Sequence, residues 1–451
     1  MAPTPAYLAY IARRSPAPRL LTLLDLALPQ GTFYASEAAY DRYEARITPG
    51  GLGALTRAVG LDSTTVPEQR LDVTIANGRT RRLELLLEGA YDVRRSVATL
   101  RRGSPDLAEE DWLTRYTGIL DSWDWNTTAP NTVTLHLRPD DHPLRNSFAP
   151  SVAILKSEWG EGSYTMPDGV AGTYAPYLYG AHNSAGVTGW GFIPLICVGF
   201  TGATGRYLVS LGRAKAKTGT WKTTDRTSIA GTLELVTRGG KQFSTVNFAS
   251  GVTAGLGIWG DFDGYETVGD GTGTLITNPV RQLWHFLGLI YADWRSGNWP
   301  ASTMAPIDPV SWSACADWCD RFKLEGSAYI GGTQEQRKAW VVVERWLASF
   351  PWFSLFWNAE GKLAMVNLAA ATEWPGYPSA AAMLFDGPAH SADRRAKVSH
   401  DIAGLARQIS GTFLFAASEG RSHGSLDVQD TSVIEKVVTN LTMDWSLARA
   451  A

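Results

Sequence analysis

The run Gly420-Arg421-Ser422-His423-Gly424 has the spacing of a hydrolase nucleophile elbow, in which a serine lies between two glycines. Such an elbow works on a sharp turn from a strand into a helix, with an acid and a histidine later in the chain. In this sequence the run lies between two predicted strands, and no histidine follows His423. We therefore interpret the run as a hairpin loop and do not predict an enzyme of this class.

Two carboxylates beside tryptophans offer a second kind of chemistry. Asp121 and Asp124 lie next to Trp123 and Trp125, and glycoside hydrolysis requires two carboxylates that face each other across a cleft. The sequence holds 44 acidic residues, so pairs of this kind arise readily without a catalytic role. We expect a structural pair here. A carbohydrate-binding or glycoside-hydrolysing β-rich protein stays open as an alternative function.

The cysteines do not predict a metal centre. The chain has only Cys197, Cys315 and Cys319, and so low and odd a number indicates a reducing compartment without a disulfide framework. Cys315 and Cys319 share one face of a predicted helix, but the further Cys or His of a tetrahedral site is missing. We expect both to be buried by helix packing.

A Gly-, Asp- and Thr-rich stretch at residues 260–277 is predicted to be a loop. It contains Asp261, Asp263 and Asp270, whose spacing does not fit a calcium loop with a terminal bidentate glutamate. Its glycine run at residues 269–273 lacks the lysine of a phosphate-binding loop. The sequence therefore predicts no metal and no cofactor.

Composition limits the remaining classes. The 451 residues include 41 basic and 44 acidic side chains, so the net charge of −3 gives no global field that favours nucleic acid. Tryptophan is frequent, with 18 residues, and suits cores that continue into interfaces. Neither a signal peptide nor a run of ~20 apolar residues is evident. We expect a soluble protein of several domains without a membrane anchor.

One group of arginines forms a local basic excess and is our candidate for interface or lumen-facing residues. If it lies on alternating strands, its members share one surface that could meet an acidic partner or a DNA-filled lumen, although a solvated strand face is the other interpretation. The group consists of Arg79, Arg81, Arg82, Arg94, Arg95, Arg101 and Arg102.

The elements that position these residues begin with alternating apolar and polar segments. Residues 70–76 are predicted to be a strand that turns at Asn77-Gly78, the strongest short hairpin signal. Together with later strands at 92–102, 112–120 and 132–138, this predicts an antiparallel meander. The proline-rich residues 139–150 follow as a linker.

The centre of the chain is a run of short apolar segments after Tyr174-Ala175-Pro176-Tyr177-Leu178-Tyr179-Gly180. Turn residues separate these segments, which predicts a series of hairpins. The predicted strands are residues 192–198, 207–211, 233–236 and 243–248.

Helical spacing appears after Asn278-Pro279 and again after Asp308-Pro309, each with proline at the first helical position. A third helix is predicted at residues 334–350, followed by a hairpin around residues 358–361. A Pro- and Ala-rich connector and a small β region complete the chain. These last segments are a connector at residues 373–388 and strands at 409–415, 424–427, 432–438 and 441–447.

This order of elements resembles the hub and tail-tip proteins of tailed bacteriophages. The resemblance is carried by the Tyr174 to Gly180 run, the hairpin series, the helix after Asn278-Pro279 and the matches at residues 430–434 and 448–451. It implies an α+β, mainly β fold, with two small antiparallel tail-tube-like β-barrels and intervening β-hairpin and helical insert domains. The implied domains are 1–145 (first barrel), 146–277 (hairpins), 278–372 (helical insert with a hairpin) and 373–451 (second tube-like region).

The resemblance also implies a non-enzymatic function. Such a hub closes the distal end of the tail tube and joins it to the central fibre or spike. The implied partners are two further copies in a homotrimer, the tail-tube or distal-tail ring proteins, the fibre or spike and a tape-measure protein, with DNA only passing through the lumen. The expected location is the tail tip or baseplate of the virion, after synthesis in the bacterial cytoplasm. A distal-tail ring or another tail-tip component is the alternative within this class.

Overall fold

The structure is a computed structural model, and strands outnumber helices in the part that it describes. The prediction of a mainly β fold with some helices is therefore confirmed. In the described part, no helix is both long and apolar enough to cross a membrane. The described residues are 3–12, 20–53, 69–77, 82–88, 93–126, 131–141, 144–145, 153–159, 162–182, 193–212, 215–223, 227–252, 256–266, 273–296, 307–332, 338–350, 352–367, 408–416, 421–429, 438–442 and 446–449.

The strands, in chain order, are β1 (Leu21–Leu28), β2 (Gly31–Ser36), β3 (Glu44–Ala45), β4 (Ile47–Leu52), β5 (Leu71–Ala76), β6 (Val97–Gly103), β7 (Leu113–Asn126), β8 (Thr132–Arg138), β9 (Tyr174–Tyr179), β10 (Ala181–His182), β11 (Ile193–Thr201), β12 (Thr204–Leu211), β13 (Lys215–Thr223), β14 (Ser228–Ile229), β15 (Thr232–Arg238), β16 (Lys241–Phe248), β17 (Ile258–Asp263), β18 (Leu324–Gly332), β19 (Phe353–Trp357), β20 (Leu363–Asn367), β21 (Gln408–Ala416), β22 (Arg421–Gln429), β23 (Val438–Thr442) and β24 (Ser446–Arg449). The α-helices are α1 (Pro5–Ile11), α2 (Arg82–Leu87), α3 (Lys156–Trp159), α4 (Pro279–Ser296), α5 (Pro309–Arg321) and α6 (Ala339–Ser349).

The chain divides into two compact units, each built from several segments. Unit 1 comprises Met1–Pro143, Pro300–Ser311 and Ser354–Val366, and unit 2 comprises Leu144–Trp299, Trp312–Phe353 and Asn367–Ala451. The four-domain division drawn from the sequence stays a prediction.

Unit 1 contains an eight-stranded sheet with the order β3-β2-β1-β6-β7-β8-β5-β4. The predicted meander is correct for β6, β7 and β8, which pair antiparallel in sequence order. It is wrong for β5, which lies between β8 and β4 and does not neighbour β6. The strand periodicity identifies each strand, but the partner of β5 depends on contacts distant in the sequence.

The hairpin predicted at Asn77-Gly78 does not pair β5 with the next strand, because β5 pairs with β4 and β8. Gly78 itself lies outside the described residues. The described element after β5 is helix α2, whose Leu83 and Leu87 are buried in the core of the sheet. Asn77 itself is fully buried, and its amide donates a hydrogen bond to the carbonyl of Asn131 at 3.1 Å.

Strands β3 and β4 are close together in the sequence, yet they lie at opposite ends of the strand order. The amide of Arg46, between them, donates to the carbonyl of Ser36 in β2 at 3.0 Å. The carbonyl of Arg46 accepts from the amide of Ala76 in β5 at 2.7 Å. This short segment therefore pairs with β2 in its first half and with β5 in its second half.

Unit 2 contains a second large sheet with the order β14-β13-β17-β11-β12-β16-β15, to which β10 adds beside β17. The hairpin series predicted from the sequence is confirmed here, because β11 with β12 and β15 with β16 pair antiparallel. A similar short segment contacts both ends: Ile229 in β14 pairs with Trp221 in β13, and Leu233 in β15 pairs with Val246 in β16.

The predicted loop at residues 260–277 is wrong at its start, because β17 is a central strand of this sheet. Ile258 and Phe262 are buried in the core, and Asp261, on the other face, is only 5% exposed. The many small and acidic residues suggested a loop, but the partners on both sides of β17 impose a strand. Asp270 lies outside the described residues.

The Tyr174 to Gly180 run forms β9 and the turn after it. Strand β9 pairs with β18, which the sequence analysis missed, and β24 pairs with the other half of β18. Gly180 has φ +71°, and a Cβ there would lie 2.0 Å from the carbonyl oxygen of Gly326. Only glycine permits this approach of the two backbones.

The predicted helices are confirmed as α4, α5 and α6, with residues 334–337 outside the described part. The Asn278 side chain caps α4, accepting hydrogen bonds from the amides of Val280 at 3.0 Å and Arg281 at 3.2 Å. Its amide group donates to the Ala316 carbonyl of α5 at 2.8 Å. A residue that begins one helix thus also fixes the second helix against it.

The predicted hairpin after the third helix is confirmed as β19 and β20. Near the C-terminus, β21 pairs with β22 and β23, as expected for a small β region. The connector at residues 373–388 and the strand start at residue 432 lie outside the described part of the chain.

Candidate functional site

The arginine group predicted as an interface does not lie on one strand surface. Arg79 and Arg81 lie outside the described residues, and Arg82 begins helix α2. Arg94 and Arg95 lie in a turn before β6, where Arg95 has φ +69°. The expectation that these two arginines share a strand face with Arg101 and Arg102 is therefore wrong. Whether any member meets a partner or a lumen stays a prediction.

Arg95 binds within its own unit. One guanidinium nitrogen lies 3.2 Å and 3.3 Å from the two carboxylate oxygens of Asp140. Asp140 is 8% exposed and its neighbour Asp141 is 4% exposed, so the start of the predicted linker at 139–150 is packed inside the unit. A buried carboxylate requires a cationic partner, and Arg95 supplies one to Asp140. The boundary between the two units falls within the predicted linker, between Pro143 and Leu144.

Arg138 joins the same network. Its Nε lies 2.7 Å from Asp121, and its other arm contacts Asp141. Burial raises the pKa of the nearby Tyr116 hydroxyl far above its usual range, so this phenol stays neutral. The network ties β7, β8 and the chain after β8 together, and its chemistry is structural.

Arg101 also makes its contacts within unit 1. Its guanidinium lies 2.9 Å from Asp25 on β1 and 2.5 Å from the Tyr43 hydroxyl. Glu109 approaches the same group at 3.5 Å. Burial, followed by hydrogen bonding to Asp25, raises the pKa of Tyr43 to about 12. Arg101 thus fastens the outer segments around Tyr43 and Glu109 to strands β1 and β6.

Arg102 differs from its neighbour. It is exposed and lies opposite Thr22 in the pairing of β1 with β6, while Arg101 lies opposite Leu23. Successive residues of a strand point to opposite faces. Of the arginine group, Arg94 and Arg102 are the described members whose side chains are exposed.

A histidine that the sequence analysis did not single out lies between two carboxylates. His136 on β8 has Nδ1 at 2.7 Å from Asp72 of β5 and Nε2 at 2.9 Å from Asp124 of β7. Partial burial lowers the pKa of His136, but the hydrogen bonds to the two carboxylates raise it, and the pKa is raised overall. When the ring is charged, both nitrogens donate to carboxylates and neither has a lone pair to act as a general base. In the sequence, the alternation of residues along β5, β7 and β8 was the only signal that could have indicated this group of three side chains.

The glycosidase pair is separated into two different contacts. Asp121 binds Arg138, and Asp124 binds His136. Trp123 and Trp125 pack against the core of the first sheet, so their rings are partly occupied. The described geometry gives each of these carboxylates a structural cation, as expected for a structural pair.

The other motifs are likewise built into secondary structure. Ser422 and His423 lie within strand β22, which pairs antiparallel with β21. Residues 421–424 therefore form no elbow, and their interpretation as a hairpin loop is wrong. Cys315 and Cys319 are fully buried on α5, as predicted, and burial raises the pKa of Cys319 to about 12. Within the described ranges, no three His, Cys, Asp or Glu side chains form a group that could hold a metal ion.

Unit 2 buries a group of aromatic titratable residues. The Tyr179 hydroxyl lies 2.8 Å from Nδ1 of His285, and the Tyr265 ring stacks on Tyr179 with centroids 5.5 Å apart. Burial lowers the pKa of His285 and raises that of Tyr265. All of these groups are therefore neutral at physiological pH, and they act as packing with internal hydrogen bonds.

Comparison with known proteins gave matches among solved structures. No family model matches the sequence, and no curated protein does. One similar solved chain belongs to the virion of a native gene transfer agent particle, with 14% identity, a TM-score of 0.24 and coverage of 68% of this chain and 99% of that chain. Another is the tail protein from Neisseria meningitidis MC58, with 8% identity, a TM-score of 0.33 and coverage of 93% and 71% respectively. TM-scores this low do not establish a shared fold or a function.

Proposed function

We propose that this chain is a structural hub protein of a phage-like tail, which closes the distal end of the tail tube and joins it to a central fibre or spike. Its role is to present fixed β surfaces to neighbouring subunits. The polar groups described above serve intramolecular contacts, which is consistent with such a role.

The observation that carries the proposal is the pairing of both large sheets at their two ends. In unit 1, Arg46 bonds to Ser36 on one side and Ala76 on the other. In unit 2, the segment holding Ile229 and Leu233 pairs with β13 and with β16. We infer that each sheet closes on itself as a small barrel, which removes the free edges that would otherwise pair at random.

The cores support closure of both sheets. The first core cluster contains side chains from β1, β2, β4, β5, β6, β7 and β8, and the second contains them from β11, β12, β13, β16 and β17. A single core touched by strands all round a sheet is what a filled small barrel requires. This proposal assigns the second barrel to the sheet of β11 to β17 and not to residues 373–451, where the resemblance implied it. Strands β21, β22 and β23 then add a smaller β region.

In this account the barrels belong to a homotrimer, and the tube or distal-tail ring proteins contact one side of it. The fibre or spike binds on the opposite side, a tape-measure protein contacts the hub during assembly, and DNA only passes through. The chain acts at the tail tip or baseplate of the virion after synthesis in the bacterial cytoplasm. Within the arginine group, Arg94 and Arg102 are the described members with exposed side chains, and they are our candidates for contact with a partner.

Two measurements test the proposal on purified material. Quantitative mass spectrometry of particles should find the chain at a fixed, low ratio to the tail-tube protein. Light scattering of the isolated chain should give the mass of a trimer of the 49.0 kDa protomer. Absence from particles would overturn the proposal.

The alternatives give different results. A distal-tail ring or another tail component would also be present in particles, but its ratio to the tube protein would match its own ring. A carbohydrate-active protein would be absent from particles, and the isolated chain would bind or cleave glycans. Asp124→Asn provides the matching variant, because loss of glycan cleavage on that substitution would assign catalysis to Asp124.

A further inference from the structure

The contacts of His136 join three neighbouring strands of unit 1. In the strand pairing, His136 of β8 lies opposite Asp72 of β5 on one side and Ser122 of β7 on the other. Its ring reaches Asp72 with Nδ1 and Asp124 with Nε2, at 2.7 Å and 2.9 Å. Each carboxylate is therefore within hydrogen-bond distance of a different ring nitrogen.

These two contacts determine how many protons the His136 ring carries. A neutral imidazole has one N–H donor and one lone pair, whereas an imidazolium has two donors. An ionised carboxylate accepts hydrogen bonds and cannot donate them. Both short contacts are favourable together only if His136 carries two protons and a positive charge.

The nearby polar groups described on β5 and β8 have partners of their own. Arg138, two residues further along β8, is engaged by Asp121 and Asp141. Thr74 of β5 and Thr134 of β8 bond to each other at 3.1 Å in the next row of the sheet. The groups from β5 and β7 that act most strongly on the ring are Asp72 and Asp124.

We propose that Asp72, His136 and Asp124 form a proton-dependent clasp across β5, β8 and β7. When His136 is charged, the ring holds both carboxylates. When it loses a proton, the nitrogen without hydrogen faces an oxygen lone pair, and one carboxylate is released. The clasp is solvent-accessible, with side-chain exposures of 29% for His136, 54% for Asp72 and 81% for Asp124, so solvent protons reach it directly.

The sign of the effect follows from the raised pKa of His136 in the folded state. The clasp stabilises the fold below the pKa of the unfolded chain, and this contribution is lost as the pH rises through the folded pKa. The net charge of the three residues changes from −1 to −2 in the same step. A surface contact made by this part of unit 1 would therefore change as the pH passes through the raised pKa of His136.

Nuclear magnetic resonance of the full chain with ¹⁵N-labelled histidine tests the clasp, and His136→Gln assigns the signal. We expect a midpoint above the ordinary 6.5, with both ring nitrogens protonated below it. Asp124→Asn and Asp72→Asn should each lower that midpoint by about half a unit or more. Asp168→Asn, at an exposed position elsewhere, is the matched control and should leave it unchanged.

The wild-type titration alone decides the matter if a variant fails to fold. A midpoint at or below 6.5, or a single protonated ring nitrogen under acidic conditions, would overturn the clasp. An unchanged midpoint in both folded Asp variants would do the same. His182, whose pKa burial lowers to about 4, gives an internal reference in the same spectra.

Discussion

The backbone of Arg46 donates a hydrogen bond to Ser36 at 3.0 Å, and this contact joins strand β2 to the segment that continues into β4. The carbonyl of the same residue accepts from Ala76 at 2.7 Å. Arg46 therefore bonds to β2 through its amide and to β5 through its carbonyl.

Arg46→Pro should unfold or strongly destabilise unit 1, because proline has no amide hydrogen for the bond to Ser36. We expect a loss of about 3 kcal/mol in the free energy of unfolding, measured by urea denaturation. Arg46→Ala keeps the backbone donor and removes only side-chain contacts, so it should cost about 1 kcal/mol. Equal losses in the two variants would contradict a backbone role.

Gly180→Ala should be far more damaging than Gly172→Ala. Both glycines have positive φ, but only at Gly180 does an added Cβ meet backbone, 2.0 Å from the Gly326 carbonyl oxygen. At Gly172 nothing lies within 4 Å of the added atom. We expect losses of about 3 kcal/mol or more for the first and about 1 kcal/mol for the second. Thermal denaturation of both variants compares them, and similar melting temperatures would count against the close contact.

Arg101→Met should destabilise unit 1, whereas Arg102→Met should not. The first substitution leaves Asp25, which is 25% exposed, without its cation, while Arg102 is exposed. The expected loss is about 2–4 kcal/mol for Arg101→Met and within about 0.5 kcal/mol for Arg102→Met. Urea denaturation measures both. If Arg102 instead contacts a partner, Arg102→Met should fold normally and lose incorporation into particles.

Acid should weaken unit 2 through His182. Burial lowers the pKa of this histidine in the fold from 6.5 to about 4, so the unfolded chain takes up the proton first. The stabilisation is complete above pH 6.5 and is lost as the pH falls towards 4, by about 2 kcal/mol between pH 7 and pH 5. His182→Gln, which has no charge to gain, should remove this part of the pH dependence. A variant with the same slope as the parent would refute the assignment.

Local signals predicted the elements of this chain well where the pattern and the local capping agree. Residues 132–138 alternate apolar and polar side chains and form β8, and Asn278-Pro279 begins α4 as its capping chemistry requires. Such patterns depend only on near neighbours. They can therefore be recognised without knowledge of the rest of the fold.

Long-range partners explain the failures. Asn77-Gly78 predicts a hairpin with the next strand, yet β5 pairs with β8, which is distant in the sequence. Gly260 to Asp263 has a loop-like composition but lies between two strands that are distant in sequence. The same holds for the arginine group. Arg95 and Arg101 were candidates for an interface because their partners could not be recognised in the sequence: Asp140 and Asp25 lie 45 and 76 residues away.

Electron cryomicroscopy of the particle that carries this chain tests the central proposal most directly. The hub account predicts three copies at the distal end of the tail tube, with the two large sheets of each copy resolved as closed barrels. Six copies in a ring would assign the chain to the distal-tail component. Particles whose tail density leaves no place for this chain would contradict a structural role in the tail.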